Sequence, residues 1–150
     1  MKMRDGHWTS KYLSIGFKDR GRDFTGCDCG GLVLLVLKTE LGLHASDFRE
    51  YEQAWFSRFT RGGSEKLAGV IDSLMHEWVK VPLASIAPFD LIRFEADHSL
   101  SHLGVYVGDG QFMHIEQKTR LTCILQLDDW VWGPRIREVR RHRERMGGDV

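Results

Sequence analysis

The chain has few cysteines, few prolines and no net charge. Three Cys in 150 residues is an odd number, which argues against a closed disulfide framework, and Cys27 and Cys29 stand too close in sequence to bridge each other without strain. Reduced thiols are expected. Only three Pro, no low-complexity tract and 42% apolar residues exclude disorder as the main state. Twenty-one Lys and Arg balance twenty-one Asp and Glu, so no overall field draws the chain to nucleic acid or to an anionic membrane. The longest apolar run, Leu32 to Leu37, is too short to span a bilayer. The start, MKMRDGHWTSKYL, lacks the apolar stretch of a secretory signal, so folding in a cytoplasm is expected. Repeats and flexible linkers are also missing, and the length predicts one domain over residues 1–150, with a core at about 8–141 and a basic tail at 142–150.

What is present falls into two halves. Trp8, Tyr12 and Ile15 at helical spacing predict a short helix over His7 to Ile15, followed by the loop GFKDRGRDFTG. Asp28 as N-cap and Gly42 as C′ residue then bracket CGGLVLLVLKTEL, whose length predicts a buried helix. Residues 44–63 look irregular, anchored by Trp55, Phe56 and Phe59, and Ser64 to Val79 has a second amphipathic helical pattern. After Pro82 and Pro88 the period changes to two. Phe89–Phe94, His102–Val107, Gln111–Glu116, Leu121–Leu127 and Arg135–Arg140 predict five strands, giving an α+β class with helices first and a mainly antiparallel sheet second.

Cys29 sits where loop becomes helix. There unpaired N–H groups and the positive end of the helix dipole favour thiolate over thiol, which suits a nucleophile. Two glycines in a first helical turn cost about 1 kcal/mol each relative to Ala, so Gly30 and Gly31 are expected to serve close approach to the sulfur rather than helix stability. A small buried thiol with packing-relief glycines is the competing explanation.

A thiolate needs a base, and an imidazole base needs an orienting partner. His7, His44, His76, His98 and His142 stand in polar or terminal surroundings and are expected to be solvated or locally bonded. His102 and His114 fall on adjacent predicted strands. A three-residue loop Gly108-Asp109-Gly110 sets Val107 opposite Gln111 and Gly104 opposite His114, with both histidines on one face; a two-residue Asp109-Gly110 loop sets them on opposite faces. In the first register the two rings are diagonal neighbours within hydrogen-bond reach, and Gly104 leaves the space open. The other face of that strand, Leu103, Val105 and Val107, packs on the Cys29 helix or on the opposite layer.

The run GRDFTGCDCGGLVLLVLKTELGL, then APFDLIRF, SHLGVYVGDGQFMHIE and WGPRIREVRR, resembles the NlpC/P60 cysteine peptidases, in particular the branch of bacteriophage tails and tail assembly, over about Trp8 to Arg141. The resemblance implies a papain-like α+β fold with Cys29 as nucleophile, His102 as base and His114 as the residue that orients it, and no metal or organic cofactor. It also implies cleavage of peptidoglycan stem peptides, usually between D-glutamate and diaminopimelate, by a tail-tip component that acts on periplasmic peptidoglycan beside tail-tip or hub proteins, without nucleic acid or a membrane span. The backbone N–H of Cys29 would hold the oxyanion, with Asp28, Gly30 and Phe17 around it. Two positions depart from the family. Phe17 stands in Ile15-Gly16-Phe17-Lys18 where many relatives carry a tyrosine, and Gly30 follows the cysteine where they often carry Ser or an aromatic.

Three other functions compete. Cys27, Cys29, His102 and His114 are zinc-ligand types, although Cys-x-Cys is not the usual spacing. The same fold serves as a structural or assembly protein of a tail tip, or as an acyltransferase using the same thiol and histidine. Cys27 is expected to be structural and Cys123 a core residue. Trp130 and Trp132 are expected to be core or interface cover. The six arginines between Arg135 and Arg145 are expected to be an edge strand and solvated end, or a docking patch.

Overall fold

The computed structural model describes residues 8–48, 75–96 and 99–147. The anchors Trp55, Phe56 and Phe59, and residues 64–74 of the second expected helix, lie outside the described residues. Where that helix was expected to end, Met75–Glu77 is a single 3-10 turn and Trp78–Val81 is a strand. Pairing with a distant strand outranks helical spacing there. The expected helix over residues 7–15 shrinks to the 3-10 turn Ser10–Tyr12. Among the described residues there is thus one α-helix, not several.

That helix, α1 (Cys29–Leu41), begins and ends as its flanking residues dictate. Asp28 at the N-cap accepts a hydrogen bond from Gly31 N, and Gly42 takes the left-handed conformation, φ 64°, at the C-terminus. Gly30 to Val33 and Leu35 to Leu37 are all buried, so α1 is covered on nearly every side, as its unbroken apolar run requires. A two-stranded hairpin, β1 (Arg22–Asp23) and β2 (Gly26–Cys27), leads into it.

The expected five-stranded sheet has six strands. Along it lie β3 (Trp78–Val81), β8 (Ile136–His142), β4 (Leu91–Ala96), β5 (Ser99–Gly108), β6 (Gln111–His114) and β7 (Cys123–Gln126), each antiparallel to its neighbour. The two faces of this sheet carry two separate cores. On one, Leu91, Leu103, Val105, Met113 and Ile115 pack with Leu32, Val33 and Val36 of α1. On the other, Ile92, Phe94, Tyr106, Phe112 and Trp132 form a smaller aromatic cluster. Residues 102, 104 and 106 face the second cluster because side chains alternate along β5.

The β5–β6 hairpin realises neither simple register. Asp109 (φ 54°) and Gly110 (φ 74°) form a two-residue turn with both central residues at positive φ. Gly108 therefore faces Gln111, not Val107. A register shift between Tyr106 and Gly108 then restores the pairs Tyr106–Phe112 and Val105–Met113, an extra residue absorbed on one strand. The bulge cancels the face inversion that the short turn imposes, and His102 and His114 end on one face after all.

The arginine-rich segment is not an edge strand. β8 lies between β3 and β4, and its arginines are engaged within the fold. Buried Asp90 takes Arg141 at 2.9 Å and Arg145 at 3.2 Å, while Arg140 bonds Glu138 and the Trp78 carbonyl. Arg137 pairs with Glu95, Arg143 donates to the His76 carbonyl, and Arg135 lies over Trp132. The run is thus an interior strand whose arginines make ion pairs and hydrogen bonds within the fold.

Close backbone approach explains Gly31. A Cβ there would stand 2.0 Å from the Gly21 carbonyl oxygen and 2.9 Å from Arg22 Nη1, so the missing side chain admits the β1 backbone, not a ligand. Gly31→Ala is expected to destabilise the fold by about 1–3 kcal/mol or more through overpacking, read as a lower urea midpoint at unchanged slope.

Candidate active site

Cys29 is the first residue of α1, half-buried against the larger core. Its position is set by the residue before it. Asp28 Oδ1 accepts from Gly31 N at 2.8 Å and from Arg22 Nη1 at 2.7 Å, and its Oδ2 accepts from Arg20 N at 3.0 Å. Arg22 in turn holds Asp47 beyond the helix C-terminus. A buried carboxylate with three donors ties loop, hairpin and helix start together, with Cys29 as the first helical residue. Cys27 differs. It is fully buried, its sulfur points to the Asp23 carbonyl at 3.3 Å, and burial pushes its thiol up to about 12, which makes it inert at neutral pH.

His102 and His114 meet as the shared face predicts. His102 Nε2 lies 2.7 Å from His114 Nδ1, with the rings nearly perpendicular at 82°. Both are buried. Burial holds His102 well below the ordinary imidazole range, with the neighbouring His114 acting in the same direction, and burial lowers His114 to about 4. At neutral pH the bond therefore joins two uncharged rings, one donating and one accepting. If Nε2 of His102 donates, its Nδ1 is the free lone pair that can take a proton. Gly104 does not leave open space beside them. Phe94 and Phe112 come within 3.1–3.3 Å of where its Cβ would be, so the glycine lets the aromatic cluster close against the strand.

Backbone pairing links the segment before α1 to the strands that carry the imidazoles. Cys123 lies opposite His114, Thr122 bonds the Ile15 carbonyl through both N–H and Oγ1, and Leu121 bridges Gly16. Phe17 then bridges Cys27, two residues before Cys29. α1 covers the Leu103 and Val105 face of β5, while the imidazoles lie by the aromatic cluster of the other face. Among the described residues His102 hydrogen-bonds His114 alone. The four zinc-ligand types do not assemble: among the described residues no three His, Cys, Asp or Glu side chains are placed to hold a metal ion. Phe17 contributes no side-chain donor, and its N–H is committed to the Arg120 carbonyl at 2.8 Å. Gly30 is buried within the first turn of α1.

Two residues have positions that sequence reasoning did not give them. Trp132 is no generic cover; its ring lies 4.6 Å from that of His102 at 31° and 5.3 Å from that of His114. Its neighbour Trp130 is 91% exposed. Cys123 is half-buried, outside both cores, beside His114. The cross-strand position of Cys123 follows once the β6–β7 register is known, but the placement of Trp132 depends on a loop that carries no periodic signal.

The profile of the NlpC/P60 family matches residues 8–141. The gamma-DL-glutamyl hydrolase of Bacillus subtilis (strain 168) is 26% identical over 134 residues, which is 87% of this chain and 27% of that protein. NlpC1 from Trichomonas vaginalis superposes with a TM-score of 0.62 at 18% identity, covering 91% of this chain and 42% of the other. The NlpC/p60 domain of the peptidoglycan hydrolase SagA superposes with a TM-score of 0.56 at 15% identity, covering 87% and 90%. The chain thus spans about a quarter of that curated relative and less than half of NlpC1. Among the described residues no helix is long and apolar enough to cross a membrane. With the profile matched from the first aromatic turn to the last strand, and with one helix packed on a mainly antiparallel sheet, this chain belongs to the NlpC/P60 family and has its papain-like fold.

Proposed function

We propose that the chain is a cysteine-type peptidoglycan endopeptidase in which Cys29 is the nucleophile, His102 the general base and then acid, and His114 the residue that orients His102. The observation that supports this reading is the 2.7 Å bond between His102 Nε2 and His114 Nδ1: with Nε2 as the donor, His114 orients the ring and Nδ1 is the nitrogen that would serve the thiol. Cys29 gives its proton to His102, and the thiolate attacks. Attack on the amide carbonyl gives a tetrahedral oxyanion that the backbone N–H of Cys29, near the positive end of the α1 dipole, would hold. Protonated His102 then gives its proton to the departing amine. Water, deprotonated by the same nitrogen, releases the acid from the thioester. No step calls for a metal or an organic cofactor.

The substrate in this reading is a stem-peptide amide, with the D-glutamyl–diaminopimelate bond as first choice. The names of two relatives, a gamma-DL-glutamyl hydrolase and a peptidoglycan hydrolase, support that chemistry. The finer assignment, a single-domain component of a phage tail or tail tip that opens the wall beside hub proteins, is supported by the motif run from Gly21 to Arg141. Phe17 favours the structural alternative, since losing one oxyanion donor typically costs about 2.7–4 kcal/mol in the transition state.

Zymography on peptidoglycan and mass analysis of defined muropeptides test the proposal. Wild type is expected to clear the gel and release the two halves of one amide bond, Cys29→Ala to do neither, and His114→Ala to lose about 10²–10⁴-fold in rate. No cleavage by folded wild type would leave the structural reading standing; a transferred rather than hydrolysed acyl group would point to an acyltransferase.

Acid should also weaken the fold. The unfolded chain protonates both rings near pH 6.5, while the folded chain keeps them neutral, His114 down to about 4. Protons therefore favour the unfolded state between those values, so this stability is complete above about pH 6.5 and is lost progressively as pH falls toward 4. Urea unfolding at a series of pH values is expected to show a loss of roughly a few kcal/mol over that window, with a shallower slope in His114→Gln.

A further inference from the structure

Trp132 is the largest side chain on the imidazole pair. Its ring centroid is 4.6 Å from that of His102 with the planes 31° apart, and it stands edge-on to His114 at 5.3 Å and 72°. On the strand side Phe94 approaches His102 at 5.8 Å and Phe112 approaches His114 at 5.3 Å. Phe94 also meets Trp132 edge-on at 5.5 Å. The imidazoles are thus walled by three aromatic rings, two from the sheet and one from the loop between β7 and β8.

That loop is built to hold its tryptophan still. Asp129 Oδ2 accepts from Val131 N at 3.0 Å and Trp132 N at 2.9 Å, and Gly133 N donates to the Asp129 carbonyl at 2.8 Å. A Cβ on Gly133 would lie 2.9 Å from the Leu127 carbonyl oxygen, so the turn closes on itself. Arg135 places its guanidinium 5.3 Å from the indole, a favourable cation–π arrangement. Only 8% of Trp132 is exposed, whereas Trp130, two residues earlier, is 91% exposed. One loop therefore commits one indole wholly to the histidines and leaves the other in solvent.

We infer that Trp132 is the positioning residue of the imidazole pair, pressing His102 into the orientation that points Nε2 at His114 and excluding water from both rings. The inference rests on the catalytic reading of the pair, but its physical content is independent of it. An imidazole can rotate about two bonds, and the 2.7 Å bond fixes only one nitrogen. A flat apolar wall fixes the plane, and so the direction of the nitrogen left for the thiol. The titratable and charged groups on the elements around these rings are Asp129 and Arg135 from the loop, Cys123 opposite His114 on β7, and Glu116 just beyond β6. Among them Asp129 acts to raise His114, against its burial. The indole is the piece whose removal admits water.

The test uses Trp132→Ala, Trp132→Leu and Trp132→Phe in the full chain, with two-dimensional NMR titration of the imidazoles and, separately, the pH profile and kcat–KM split on a stem peptide. Trp132→Ala and Trp132→Leu are expected to raise the His114 midpoint from about 4 by one unit or more. They are also expected to lower kcat by about 10–100-fold with KM changed less than about twofold, while Trp132→Phe keeps the wild-type titration. Unchanged imidazole midpoints in a folded Leu or Ala variant would overturn the inference. If the Ala variant does not fold, the Leu variant decides, since it fills the space without a flat ring. The titration needs no substrate, so a wild type without hydrolytic activity would defeat the proposed function and still leave this inference to be decided by the midpoints.

Discussion

The buried carboxylate of Asp28 is the constraint from which the arrangement of this protein follows. One oxygen caps α1 through Gly31 N and takes the Arg22 guanidinium, and the other takes Arg20 N. Of these partners the Arg22 guanidinium is charged and Gly31 N lies at the helix start, where hydrogen bonds to a carboxylate are strongest. The glycines serve this junction. Gly31 admits the Gly21 carbonyl, and a Cβ on Gly21 would strike the Gly26 carbonyl at 2.2 Å, so hairpin and helix lie against each other with nothing between. The position of the thiol on the next residue is a by-product of that knot.

The sheet then separates two tasks. Its helix-covered face carries the main core, with α1 packed on aliphatic residues of β4, β5 and β6. Its other face carries an aromatic cluster in which two imidazoles are embedded. Burial accounts for the low proton affinity of those rings, because an apolar wall stabilises no imidazolium. Burial thus keeps both imidazoles neutral, at a cost in stability under acid. Phe17 and Gly30, the two positions that depart from the family pattern, lie by the N-terminus of α1: Phe17 bridges Cys27, and Gly30 is in the first helical turn.

Charge is handled by pairing within the sheet. An arginine-rich last strand would be costly in an interior position if its charges were unmatched, and β8 answers this with Glu138 and with Asp90, which is itself fully buried and held by two arginines. Breaking such a pair by removing one partner typically costs about 3–5 kcal/mol. The neutral total charge of the chain is therefore not evenly spread; a good part of it is consumed in closing β8 onto β3 and β4.

The sequence alone determined the features that short-range chemistry decides. Asp28 before Cys29 and Gly42 after Leu41 bracket the helix because caps act on neighbouring residues. The alternation around His102 and His114 places both on strands because side-chain direction has period two. The motifs that resemble the NlpC/P60 family lie on those same elements. What tertiary structure decided is whatever depends on a partner distant in the chain. Trp78–Val81 became a strand because β8 was there to pair with it, and β8 became interior because β3 covered its edge. The histidines share a face because a bulge at residue 107 offset the two-residue turn, and Trp132 reached them because Asp129 folded a loop that has no period to read. Neither the bulge nor the loop leaves a trace in local composition, since each is selected by contacts that form only when the sheet has closed.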